Sequence, residues 1–192
     1  MHAYEIVLYL HILSLFVAFG VTGALWFALA RLRSARVCGE ALQWLAVGKT
    51  AGMVFPVVLL TLLATGAFMV HHSWTWSTPW VDAGLTGVVF LGVVGDRVEG
   101  GKGKKIAHVL AADPGAPIQG AAAAALRNPL FWSAGLVNPL IATAVAFDMV
   151  TKPGPAGAGA ALAIAVVVGC AAAVPLWRTR PTEAPAPEAV ST

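Results

Sequence analysis

Charge is scarce in this sequence. Asp, Glu, Lys and Arg make up 11% of its 192 residues, against roughly 25% in an ordinary soluble domain, and that shortage excludes a water-soluble globule. Cysteine is nearly absent. Cys38 and Cys170 lie far apart and form no CxxC pair, so neither a zinc ribbon nor a thioredoxin-like motif can be built. The opening residues MHAYE contain no Lys or Arg, which removes the positive n-region of a cleavable signal peptide. The first apolar run is therefore expected to remain as a spanning helix.

Catalytic and nucleotide motifs are missing as well. VGKT at 47–50 resembles the second half of a phosphate loop, but Gln43 stands where the first glycine is required. GGKGKK has the spacing of neither a phosphate loop nor a dinucleotide turn. No Ser/His/Asp order, no HExxH and no paired carboxylates fall within the apolar runs, so a hydrolase is unsupported. Whether the chain is an enzyme at all stays open at this stage.

Apolar residues are what the chain has in abundance: 58% of the total, with a mean hydropathy of +0.79. The expected fold is all-α, a polytopic transmembrane helical bundle. Five runs approach the roughly 20 residues needed to cross the hydrocarbon core: 6–30, 50–72, 79–95, 129–148 and 157–177. The third is the shortest, because Asp82 and Asp96 bracket its uncharged part; it still counts as a span. The Pro- and Ala-rich tail 178–192 is expected to be disordered.

The net charge of +3 is spread between the apolar runs without a basic-aromatic groove, which argues against nucleic-acid binding. Its distribution instead sets the orientation. With the N-terminus outside and the C-terminus inside, eleven of the twelve Lys and Arg residues fall on the inner side, and Lys152 alone lies outside. The basic segment GKKIAHVLAAD is expected to form a short helix on the inner interface, ended by DPGAP. In the fifth run, Ala161, Ala165, Gly169 and Ala173 recur every fourth residue, a small-residue seam suited to helix pairing with a second copy or another membrane protein.

Ionisable residues within a span are costly, so each is a functional hypothesis. His11 shares a helical face with Ser14, Ala18 and Thr22, opposite Phe16 and Phe27, and should point into the bundle. His72 lines up with Thr65 and Thr61, with Met69 beside them, whereas His71 is offset and follows Ala64 and Ala67. His11, His71 and His72 belong to the outer half, joined there by Asp82, Asp148 and Met149. This convergence suggests a haem held by His11 and His72, with His71 as second choice, or copper held by His11, His72 and Met69 or Met149. The alternative is that no cofactor binds. Trp74, Trp76 and Trp80 would then form an interfacial belt with His71 and His72, and His11 would make one interhelical hydrogen bond. A non-catalytic scaffold or accessory subunit follows from that alternative. A small-solute transporter, opened at Pro56 and at Pro139 beside Asn138, is a third expectation.

LHILSLFVAFG, PVVLLTLLATGAF, PWVDAGL and AFDMVTKPG together resemble an uncharacterised family of small bacterial integral membrane proteins, a domain of unknown function. That family is distantly similar to copper-resistance D-type membrane proteins and to HemJ-type protoporphyrinogen oxidases. The resemblance covers roughly residues 5–155 and implies a multi-pass protein of the bacterial inner membrane. It matches His11 to a histidine associated with haem b in the HemJ-type proteins, and Trp80 to their "GW" tryptophan. The lysine of that pattern is absent, since Ala83, Gly84 and Leu85 follow Asp82; protoporphyrinogen oxidation is not implied.

Overall fold

The computed structural model describes residues 3–178. His2 and, beyond Arg178, the tail expected to be disordered lie outside the described residues. Within them the chain is all-helical, and the extended pairing consists of one isolated bridge between Val37 and Pro117.

The first helix, α1 (Ala3–Ser34), has 32 residues and at about 1.5 Å per residue is some 48 Å long. It packs against α2 (Cys38–Gly52) and α3 (Phe55–Ser73), which run back antiparallel to it. The two form one nearly continuous rod interrupted at Met53 and Val54, where Pro56 in the first turn of α3 contributes no N–H to the ladder. The segment 31–49 between the first two apolar runs is thus mostly helical. The helix there buries Cys38 and Ala41.

α4 (Pro79–Val93) has only 15 residues, but the chain continues without a break through a π-helical segment (Val94–Gly100) into α5 (Gly101–Leu110). Residues 93, 94, 100 and 101 all keep right-handed helical dihedrals. The helix expected in GKKIAHVLAAD is thus present, although its apolar residues Ile106 and Leu110, 2% and 0% exposed, pack into protein. The DPGAP turn after it has a structural task. Gly39 N donates to Pro114 O at 2.8 Å, Cys38 N to Ala116 O at 3.0 Å, and Ile118 N to Arg36 O at 3.0 Å. The first two bonds satisfy N–H groups at the start of α2, which no side chain caps, and the third satisfies the Ile118 N–H with the carbonyl just before the helix.

α6 (Gly120–Leu126) leads to α7 (Pro129–Thr151), whose N-terminus is fixed by Pro129 and by the Asn128 side chain accepting from Phe131 N at 3.0 Å. α8 (Pro155–Arg178) returns antiparallel to α7. The small-residue seam is spent inside the chain: a Cβ at Gly169 would lie 2.8 Å from Val137 Cα, and Ala165 and Ala173 are buried. The large α8 side chains facing outward include Ile164, Val167 and Val168.

Two apolar cores result. One gathers Leu32, Cys38, Ile106, Leu110, Leu126 and Trp132 at the end where α1 finishes, here termed the capped end. The other joins Val137, Ile141, Ala144 and Val145 of α7 to Ala165 of α8. Outside them the surface is strongly apolar, with Phe16, Leu60, Val89 and Val167 all exposed. Four helical stretches are long and apolar enough to cross a bilayer: Ala3–Ser34, Cys38–Ser73, Gly120–Thr151 and Pro155–Arg178. The described residues are all-helical, with four helices of the length and apolarity of a multi-pass membrane protein.

Candidate functional site

His11 is buried, 7% exposed, as are Ser14 on its own face and Thr65 across on α3. The face of α1 chosen from periodicity is the buried one; Phe16 and Phe27 lie exposed on the other side. His11 Nδ1 lies 2.8 Å from Thr65 Oγ1. Thr65 spends its own hydroxyl proton within α3, donating to Thr61 O at 2.6 Å or Leu62 O at 3.2 Å. Its oxygen is therefore placed to accept from His11, which sets the imidazole proton on Nδ1, and the Leu62 backbone is a further hydrogen-bond partner of the ring.

The other sequence candidates sit elsewhere. His72 is exposed and lies between two aromatic rings: stacked on Phe68 at 6.0 Å between centroids, and tilted against Tyr4 at 5.5 Å. His71 is exposed, and Met69 is half-buried one turn below His72. The antiparallel register opposes Tyr4 to His72 and His11 to Thr65. His11 and His72 are thus seven residues apart along the helix pair, about 10 Å at the helical rise. They are not brought onto one centre. Among the described residues no three His, Cys, Asp or Glu side chains form a metal-ligand group.

Polar groups on α7 make a second series that sequence reasoning named only in part. Pro139 has no N–H, so the carbonyl of Gly135, four residues earlier, loses its helical partner; the Trp26 indole of α1 donates to it at 3.2 Å. Beside the proline, Asn138 Nδ2 donates to Glu99 Oε1 of the π-helical segment at 2.9 Å, while Asn138 Oδ1 is buried without a partner. Nearer the N-terminal end of the bundle, Asp148 is 0% exposed and neither of its carboxyl oxygens has a hydrogen-bond partner. Asp82 on α4 is exposed.

Lys152 ends α7 in the left-handed region, with φ 50°. Its Nζ lies 4.2 Å from the centroid of the Trp74 ring and 5.8 Å from that of Trp80, and the two indoles meet edge to face at 5.1 Å. This cation–π clamp ties the α3–α4 turn to the α7–α8 turn. The sequence signal for it is the isolation of Lys152, which has no other Lys or Arg between Arg127 and Arg178.

Two surface grooves accompany these features. One of about 280 Å³ between α7 and α8 is apolar, and one of about 430 Å³ between α4 and α8 includes Asp82 and Thr86. Neither contains a histidine. No family model, curated protein or solved structure matches the chain.

Proposed function

We propose that the protein is a five-span protein of the bacterial inner membrane, N-terminus outside and C-terminus inside, in which His11 binds haem b in the outer half of the bundle. The topology is supported by the spacing of residues near the helix ends. Tyr4 and Trp26 on α1 are 22 residues apart, and so are Pro155 and Trp177 on α8; at the helical rise that is about 33 Å, the hydrocarbon thickness plus a small margin. The same length counted from Trp80 on the third span reaches Lys102. That span therefore crosses as α4 together with the π-helical segment. All Lys and Arg residues between 3 and 178 other than Lys152 then fall within or next to the inner cap.

The observation that carries the haem reading is the His11–Thr65 bond. A metal-binding imidazole needs one nitrogen bare and the other held by an acceptor that fixes ring and tautomer; the His11–Thr65 bond supplies the held nitrogen. His11 would hold the haem, and the offset of His72 along the helix pair keeps it from joining His11 there. Bound haem would supply one-electron redox chemistry. Thr65 is a positioning residue, and the small residues on the faces of α1 and α3 keep the helices close enough for its hydroxyl to reach.

Copper is the second reading, supported by Met69 and His72 one turn apart on α3, a soft thioether beside an imidazole. His11 lies too far down the pair to join them as a first choice. A partner helix or second copy docking on α8 would meet Ile164, Val167 and Val168, because α7 occupies the small-residue seam. Haem and metal content of the protein purified from haem- and copper-replete cells tests the choice. Haem lost in His11→Ala and kept in His72→Ala supports the first reading. Copper lost in His72→Ala supports the second, and wild-type protein with neither cofactor removes both.

A further inference from the structure

We propose that Asp148 is a proton-binding site, enclosed by α4, α7 and α8 and closed at the N-terminal end of the bundle by Lys152 on Trp74 and Trp80. This does not depend on His11 or on any cofactor. The carboxyl belongs to the α7 face that carries Ile141, Ala144 and Val145 towards its neighbours, and it is fully buried with both oxygens unpartnered. Each wall is built from small or apolar residues. On α4, Gly84 leaves room beside Met149 and Val145, and Val81 is buried. On α8, the antiparallel register that opposes Val137 to Gly169 brings Ala158, eleven residues from Gly169, level with Asp148, eleven from Val137; Ala158 is 1% exposed.

An isolated carboxylate charge in such surroundings is expensive, and natural membrane proteins keep one there only with a counter-charge. The charged and titratable groups on the neighbouring elements do not supply it. α8 carries none near this level. On α4 the nearest is Asp82, which is an acid and exposed. The α3–α4 turn is approached by His71 and His72, both exposed, with His72 engaged between Tyr4 and Phe68. On α1, Glu5 is an acid with its own interaction, and His11 bonds Thr65. On α7 itself, Lys152 follows one turn later, but its ammonium lies over the indoles. No second acid or imidazole joins Asp148 in a metal-ligand group among the described residues. The ligand of matching charge and size is therefore a proton.

Lys152 gives this site a gate. It holds a left-handed φ that a side chain other than glycine rarely adopts, and the geometry aims its ammonium at the tryptophan pair directly above the Asp148 turn. Release of that clamp frees the α3–α4 and α7–α8 turns from each other and opens a path for water from the N-terminal end. Asp148 then exchanges its proton with the aqueous phase on that side.

The test uses dicyclohexylcarbodiimide, an apolar reagent that modifies protonated carboxyl groups within membranes, on the full-length protein in detergent, with the adduct located by peptide mass spectrometry. The expected result at neutral pH is an adduct on Asp148 and none on Asp82, unchanged by added sodium chloride. Lys152→Met is expected to raise the labelling rate about two- to fivefold, the factor matching loss of one exposed cation–π contact. A protonated-carboxylic-acid infrared band in the wild-type minus Asp148→Asn difference spectrum gives a readout that needs no reagent. Absence of both adduct and band in monodisperse wild-type protein would overturn the proposal. Protection by sodium at constant pH would overturn it in favour of a metal cation, and an adduct confined to Glu99 or Asp82 would overturn the assignment to Asp148. A labelling rate unchanged in Lys152→Met would overturn the gate.

Discussion

Gly169→Ala tests the tightest helix contact in the bundle. A Cβ at this position would stand 2.7 Å from Val137 Cγ2, 2.8 Å from Val137 Cα and 3.1 Å from Val137 N, against the 3.5–4.0 Å or so at which carbon atoms attract. Two of the three opposing atoms are backbone, so no rotamer change relieves the clash. α7 and α8 must part by about 0.7 Å, the gap between 2.8 Å and ordinary contact. Overpacking of this kind costs about 1–3 kcal/mol, partly offset by the roughly 1 kcal/mol that alanine gains over glycine in a helix. Gly159→Ala on the same helix is the control, since nothing lies within 4 Å of its added Cβ, and it keeps the propensity gain alone. The two variants should differ by about 1–3 kcal/mol, which for a chain of this size is roughly 2–12 °C in melting temperature. Heating followed by fluorescence-detected size-exclusion chromatography reads the difference. If Gly169→Ala melts no lower than Gly159→Ala, the close α7–α8 approach is wrong and the seam is free for a partner.

Trp26→Phe removes the donor to the Gly135 carbonyl and should cost on the order of 1 kcal/mol. In a Pro139→Ala background, where the helix regains its own N–H, the loss should shrink, and a double-mutant thermal cycle measures the coupling. Asn128→Ala should destabilise the start of α7 by about 0.5–2 kcal/mol, with Asn128→Asp preserving most of it, as read in the same melts. Gly39→Ala drives a Cβ to 3.0 Å from Pro114 O; hydrogen exchange at Gly39 and Ile118 should accelerate while α8 amides stay unchanged. Thr65→Val keeps the shape of the site but leaves His11 Nδ1 without its acceptor, so the haem should remain measurable with a shifted redox potential, checked by spectroelectrochemical titration.

The membrane character, the apolar runs and the inward face of His11 were legible because each depends on local periodicity, which the 3.6-residue repeat writes directly into the sequence. Three things were not. α2 was missed because its apolar residues are covered by the 113–118 turn and α5, contacts distant in sequence. The helix that starts at Pro79 outruns its apolar run because a π-helical segment carries it past Asp96, Arg97 and Glu99, and no composition rule marks where a helix widens. The offset of His11 and His72 depends on the α1–α3 register, which is set by pairs such as Tyr4 with His72 and becomes visible only when the helices are packed. Asp148 reads in the sequence as a charge at a helix end; its complete burial depends on how α4 and α8 pack on α7 and becomes visible only in the fold.

A reduced-minus-oxidised absorption spectrum of the purified protein, recorded beside His11→Ala and Thr65→Val, reaches the central claim most directly. A b-type spectrum in wild type, lost in His11→Ala and retained in Thr65→Val, is the result the account predicts. A spectrum without haem bands in protein from haem-replete cells, or haem bands undiminished in His11→Ala, would contradict it.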